Sequence, residues 1–310
     1  MPRVSVILTT YRRAHLVARA LQSVLAQSYP DFEVIVVDDG SPDGTRDVIA
    51  RFTDPRAHYI FQENRGLAGA RNTGVRAARG AYIAFLDDDD EYLPTKLAQQ
   101  VPALDEHPEY GVVYSDVYLC DAAGNRIRRV SDALGKGDPP SGMILEALVH
   151  GNFLVSNAPL LRRECFEVGL FDERLRMFED WDFWLRLACE TRFLYQPGAV
   201  ACYRIHAAMM SHNRERMWSG ALAVRRKIQA MPQFAALSQA AQQFSRYQCG
   251  LLECLVGDMT IGRRALWRAF TGQPPICKAG PLWALSHLGR DALRAVVSAW
   301  AGRQAWLRTG

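Results

Sequence analysis

Short apolar runs alternate with helical periodicity through the first 120 residues, and this alternation constrains the fold more than any other feature. Val4–Thr9 is a β-branched run, and helical spacing follows from Ala14 to Gln27. Phe32–Asp38, His58–Gln62, Tyr82–Leu86 and Val112–Leu119 read as further strands. Between them, helical patterns cover 45–52, 66–78 and 96–106, the last opened by Pro94. Strands that alternate with helices form a mostly parallel sheet with helices on both faces. An α/β fold is therefore expected.

Residues 121–140, rich in Gly, Pro and charge, read as a loop or short hairpin. A helix at 142–150, a strand near 153–161, a helix at 180–189 and short strands at 192–195 and 199–203 follow. Beyond Asn213 the strand signals stop, and four helical patterns follow, at 213–230, 234–256, 259–271 and 280–302. Charge changes sign at the same place. Residues 214–310 carry 14 Lys and Arg against four Asp and Glu, a net of +10; from totals of 37 and 33, residues 1–213 carry 23 against 29, a net of −6. Two regions are expected: an acidic domain over 1–213 and a basic helical extension over 214–310.

The seven cysteines form no CxxC pair, which suits reduced thiols better than a disulfide framework or zinc site. The N-terminus runs straight into a strand-like segment without a cleavage site, and no apolar stretch reaches the ~18 residues of a membrane span. A cytoplasmic protein is expected.

The fourth strand closes in four consecutive carboxylates, Asp87 to Asp90. Two like charges ~4 Å apart repel by roughly 4 kcal/mol at an effective dielectric of about 20. Such a run requires counter-charge, and Mg²⁺ or Mn²⁺ held by oxygen ligands is one supply. A solvated acidic turn is the plainer alternative. The run's position directly after a strand argues for the site, because open α/β sheets bind ligands beyond the carboxyl ends of their strands.

Three other segments carry chemistry. The second strand ends in Asp38-Asp39-Gly40, where a fixed carboxylate can accept a hydrogen bond from a nucleobase or ribose, or where Ser41 and Asp43 simply cap a helix. The segment 63–74 opens a helix with glycines, a place that attracts phosphate, and brings Arg71 to the same sheet end. Neither a G-x-G-x-x-G fingerprint nor a Walker A loop is present. Glu179 and Asp180 open an amphipathic helix faced by Trp181, Trp184, Leu185 and Ala188; they are N-terminal caps or a tuned general base. His206 follows the last strand, within reach of the aspartates.

In their order, VSVILTTYRR, VVDDGSPDGT, NRGLAGARNTG, AYIAFLDDDDEYLPTKL, FEDWDFWLRL and the closing YRIHAAMMSHN resemble the glycosyltransferase family 2 enzymes. The resemblance covers about residues 3–213. It implies the GT-A fold, a Rossmann-like sheet, and an inverting transfer from a nucleotide-sugar donor (UDP-, dTDP- or GDP-linked) to a saccharide or lipid-linked acceptor in cell-surface polysaccharide or glycolipid synthesis. It implies nucleotide-sugar contacts at Thr9, Tyr11, Asp39, Arg71, Asp87 and Asp88, metal at Asp89, Asp87 and His206, and Asp180 as base supported by Glu179. The family's DxD motif usually has a small central residue. Here all four positions are Asp, so Asp87 with Asp89 fits best and Asp88 with Asp89 is the alternative. The residues after His206 are Ala-Ala, where many relatives have smaller or polar ones.

A sugar nucleotidyltransferase would need a Gly-rich, Lys-containing loop after the first strand, which Thr9-Thr-Tyr-Arg-Arg-Ala-His-Leu16 does not supply. A non-catalytic sugar-nucleotide-binding protein is the other alternative. The basic tail, with Trp267, Trp283, Trp300 and Trp306, packs as helices or also touches an anionic membrane, placing the protein on its inner face. Nucleic acid is not expected as a partner, because the acidic domain would repel it.

Overall fold

The computed structural model describes residues 1–134, 138–206 and 213–304. Most of the closing segment, Ala207 to His212, lies outside the described residues, as does Trp306. The described chain divides into two compact units, 1–144 with 153–209, and 145–152 with 210–310.

The first unit is built on nine strands: β1 (Val4–Thr10), β2 (Phe32–Asp38), β3 (Ala57–Phe61), β4 (Tyr82–Asp87), β5 (Glu91–Tyr92), β6 (Tyr110–Cys120), β7 (Arg126–Arg129), β8 (Leu160–Arg162) and β9 (Arg192–Arg204). The sheet runs β3-β2-β1-β4-β8-β6-β9-β5, with β7 beside β6. The half β3-β2-β1-β4 is wholly parallel, as the alternation predicts. The short β8 then runs antiparallel to both β4 and β6, while β6 and β9 are parallel to each other.

Around the sheet lie α1 (Ala14–Leu25), α2 (Thr45–Ile49), α3 (Gly66–Ala77), α4 (Lys96–Glu106), α5 (Val130–Leu134) and, after α6 (Leu145–His150) of the other unit, α7 (Glu179–Leu187). In α1 the buried residues are Val17, Ala20, Leu21 and Val24, one face of a helix. They pack on fully buried Val4, Val6 and Leu8 of β1. Burying each such side chain contributes roughly 1.5–3 kcal/mol.

Three expectations change. The segment near 153–161 supplies only the three residues of β8, and its start is irregular. The two last short strands are one, β9, whose register against β6 shifts around Ser115 and Asp116. The segment 145–152 belongs with the helical unit rather than with the sheet.

The second unit holds α6, α8 (Arg214–Ala230), α9 (Gln239–Val256), α10 (Met259–Thr271), α11 (Ala279–Ser286) and α12 (Arg290–Gln304). Side-chain caps open three of them, from Asn213, Ser238 and Asp258. Its core gathers Leu222, Tyr247, Leu252, Leu255, Leu266, Leu282 and Leu293. The pattern expected as one helix over 280–302 is two, because Gly289 turns the chain at φ +102°. Among the described residues no helix is long and apolar enough to cross a membrane.

Candidate active site

The parallel register places the chemistry at one sheet end. Thr9 pairs with Asp87, and Thr10 with Asp38, so β1, β2 and β4 deliver their last residues side by side. The run after β4 then divides by direction. Asp87 and Asp89 keep 23% and 16% of their side chains exposed, whereas Asp88 keeps 5% and Asp90 is buried.

Each carboxylate meets its own partners. Asp87 accepts hydrogen bonds from Arg71 (2.9 and 3.0 Å), Thr9 Oγ1 (3.2 Å) and Ser156 Oγ (3.2 Å). Asp88 accepts from Arg13 Nη1 (2.8 Å) and the Tyr11 N–H (3.3 Å). Asp89 Oδ2 meets Arg13 Nη1 at 2.5 Å and His206 Nε2 at 3.1 Å. Asp90 accepts from Asn157 Nδ2 (2.7 Å) and the Arg204 N–H (2.9 Å), which makes it the anchor of the turn. Burial pushes the Asp88 carboxyl up to about 7 despite Arg13, and raises Asp90 well above the usual carboxylate range. Arg13 and Arg71 thus supply counter-charge to the run. Among the described residues no group of three or more His, Cys, Asp or Glu is arranged to hold an ion.

Arg71 is a strut rather than an open cation. It is 2% exposed and bonds Glu179 Oε1 at 2.7 Å while holding Asp87. Burial pushes the Glu179 carboxyl up to about 7 against the pull of Arg71, and the charges of Asp180 and Asp87 add to the rise. Phe178, just before, takes the left-handed conformation (φ +62°, ψ +26°), a strained entry for a non-glycine residue. That turn leaves Glu179 buried and Asp180 half-buried. Asp180 also accepts its neighbour Trp181's N–H at 2.7 Å.

Asp39 is turned onto helix α3. Its carboxylate accepts from the N–H groups of Arg65 and Gly66 (both 2.8 Å) and from Gln62 Nε2 (2.6 Å). The helix opening expected to draw phosphate is thus capped from within the protein. Gly40 takes φ +82°, the turn that Asp-Asp-Gly predicts. Tyr11 is 39% exposed at the rim, and Thr9 is buried. Arg71 Nε, Asn157 Oδ1 and Gln62 Oε1 are buried without a hydrogen-bond partner in the protein.

Sequence reasoning did not assign Arg13, Ser156, Asn157 or Arg204. Arg13 and Arg204 lie inside segments already singled out, beside Tyr11 and His206. Ser156 and Asn157 sit in irregular chain with no local signal.

The family model for glycosyl transferase family 2 matches residues 5–169 of this chain. The chain belongs to glycosyl transferase family 2. The succinoglycan biosynthesis protein ExoO of Rhizobium meliloti (strain 1021) is 34% identical over 223 residues, 68% of this chain and 63% of that protein. Among solved structures, S. aureus TarS 1–349 in complex with UDP-GlcNAc superposes with a TM-score of 0.66, at 17% identity, over 98% of this chain and 92% of that one. The mannosyltransferase PcManGT of Pyrobaculum calidifontis, in complex with GDP-Man and Mn²⁺, gives 0.61 at 23% identity, over 99% and 85%. These likenesses show the GT-A fold, a mixed α/β sheet followed by C-terminal helices. A family 2 enzyme is a glycosyltransferase, which removes the nucleotidyltransferase reading.

Proposed function

We propose that this glycosyltransferase moves a sugar, with inversion, from a nucleoside-diphosphate sugar to an acceptor hydroxyl during assembly of a cell-surface polysaccharide or glycolipid. The observation that carries the reading is the link through Arg71. One guanidinium joins Asp87, on the donor side, to Glu179, beside the candidate base. ExoO, named for succinoglycan biosynthesis, supports the polysaccharide setting, and the ligands of TarS and PcManGT support a nucleotide-sugar donor.

Asp180 accepts the acceptor's hydroxyl proton as that oxygen attacks the anomeric carbon. Glu179, pinned by Arg71, fixes the helix start that aims Asp180. Thr9, Tyr11 and Asp39 line the end of β1 and β2 where the nucleoside binds. Asp39 reaches a donor only by sharing oxygens now bonded to α3. Arg13 adds positive charge where the diphosphate leaves.

By chemistry, carboxylate oxygens with an imidazole 3.1 Å from Asp89 Oδ2 suit a divalent cation, and closing them on one requires Asp87 and Asp89 to turn from Arg71 and Arg13. Asp89, Asp87 and His206 would hold Mn²⁺ or Mg²⁺, which when bound supplies Lewis-acid stabilisation of the departing diphosphate. The Mn²⁺ in PcManGT supports this assignment. Of the two pairings of the aspartate run, the greater exposure of Asp87 over Asp88 supports Asp87 with Asp89.

The helical unit suits an anionic lipid surface, where a lipid-linked acceptor resides. From Met259 to Arg290 the chain has five Lys and Arg and no acidic residue. Ile261 (53%), Trp267 (45%), Phe270 (40%) and Leu288 (73%) are exposed along the same stretch. Cations interleaved with exposed aromatic and aliphatic side chains are the composition of an interfacial surface.

A thermal-shift screen of nucleotide sugars, with and without Mn²⁺, tests the donor reading. A donor raises the midpoint, and more with the metal present. A flat response to every UDP-, dTDP- and GDP-sugar contradicts it.

A further inference from the structure

Arg13 sits on the carboxylate oxygen that a cation at Asp89 would use. Its Nη1 donates to Asp89 Oδ2 at 2.5 Å and to Asp88 Oδ1 at 2.8 Å, and His206 Nε2 lies 3.1 Å from the same Asp89 oxygen. A guanidinium and a divalent cation carry like charge, so Arg13 in place on that oxygen repels a cation arriving there.

The placement of Arg13 is built into the backbone. Arg12 takes a left-handed φ of +57° and donates its N–H to Ser41 Oγ at 3.0 Å. On either side, the Tyr11 N–H reaches Asp88 (3.3 Å) and the Ala14 N–H reaches Asp43 (3.2 Å). The loop is thus fixed to the Asp-Asp-Gly turn and to the aspartate run together. A strained residue held by such contacts is the kind of feature that functional loops retain. The guanidinium is three-quarters buried, so it is directed at the carboxylates and not at solvent.

We propose that Arg13 is a resident counter-ion that competes with the divalent cation for Asp89. The free protein then keeps its aspartate run neutralised without metal, and Arg13 sets how much cation the site takes up. This rests on the metal role proposed for Asp89. It goes beyond that role in assigning a competing residue on the first loop.

The test is Mn²⁺ binding to the full chain without nucleotide, read from the electron paramagnetic resonance signal of free Mn²⁺. The wild type should bind weakly. Arg13→Gln should bind about tenfold or more tightly, the scale of releasing one part-buried charge contact. Arg13→Lys, which keeps the charge, should stay near wild type, and Asp89→Asn added to Arg13→Gln should remove the gain. Arg13→Ala carries the same expectation should the glutamine variant not fold. Binding by Arg13→Gln no tighter than wild type, or a gain that survives loss of Asp89, overturns the proposal. So does an Arg13→Lys variant as tight as Arg13→Gln. Because no substrate is present, the outcome is separate from whether the protein transfers sugar.

Discussion

His206 Nε2 lies 3.1 Å from Asp89 Oδ2 although 117 positions separate the two residues. The two-residue strand β5 causes the meeting. Glu91 and Tyr92, directly after the aspartate run, pair with Cys202 and Ala201 near the end of β9, and this draws His206 back to Asp89. Replacing His206 with Ala should lower turnover by about 10–100-fold, the range for groups that orient or complete a metal site. The loss should shrink as Mn²⁺ is raised, and the thermal midpoint should hold. Steady-state kinetics across a Mn²⁺ series checks this.

Arg71 separates two carboxylates, one of them fully buried. Arg71→Ala strands Glu179, while Asp87 keeps Thr9 and Ser156, and should destabilise the protein by roughly 3–5 kcal/mol. Arg71→Ala combined with Glu179→Gln should cost less than the two single changes added, because the stranded charge is gone. Denaturant titration of the four proteins gives the coupling. Additive costs would contradict the strut.

The raised Glu179 carboxyl fixes the sign of a pH effect. Its folded value of about 7 lies above the ordinary 4.5, so the folded state binds the proton more tightly. The stability this lends is present below pH 4.5 and is lost as pH rises to 7. Wild type should therefore lose stability relative to Glu179→Gln across that window. Thermal midpoints of the pair from pH 4.5 to 8 report it.

Much of this site is legible in the sequence, because parallel strands end where their charged residues begin. Asp38, Asp39 and Asp87 close buried apolar runs, and period and register carry them to one sheet end. What is not legible comes from contacts between distant segments. Ser156 and Asn157 occupy irregular chain and meet the aspartates only because β8 returns beside β4. The sequence shows Asp-Asp-Asp-Asp as an unmet charge, but not that Arg13 and Arg71 answer it. Arg71 was expected at this sheet end, yet its burial between Asp87 and Glu179 depends on α7 packing there. The helical unit was legible as helices from their spacing, while its exposed face required the packed core to identify.

That exposed face yields a further expectation. Trp267→Ala with Arg264→Glu and Arg268→Glu should weaken binding to phosphatidylglycerol vesicles by at least tenfold, since each juxtamembrane cation contributes about 1 kcal/mol. Co-sedimentation measures it. Binding unchanged even when residues 259–310 are deleted contradicts a membrane role.

Asp180 as base and Asp89 as the residue that serves the diphosphate carry the proposed mechanism. The direct measurement is sugar release and transfer from the nucleotide sugar identified by thermal shift, comparing wild type with Asp180→Ala and Asp89→Ala. Both variants should remain folded and lose activity by about 10²–10⁴-fold, the range for a lost general base or electrostatic stabiliser. Full activity retained in both would contradict the mechanism.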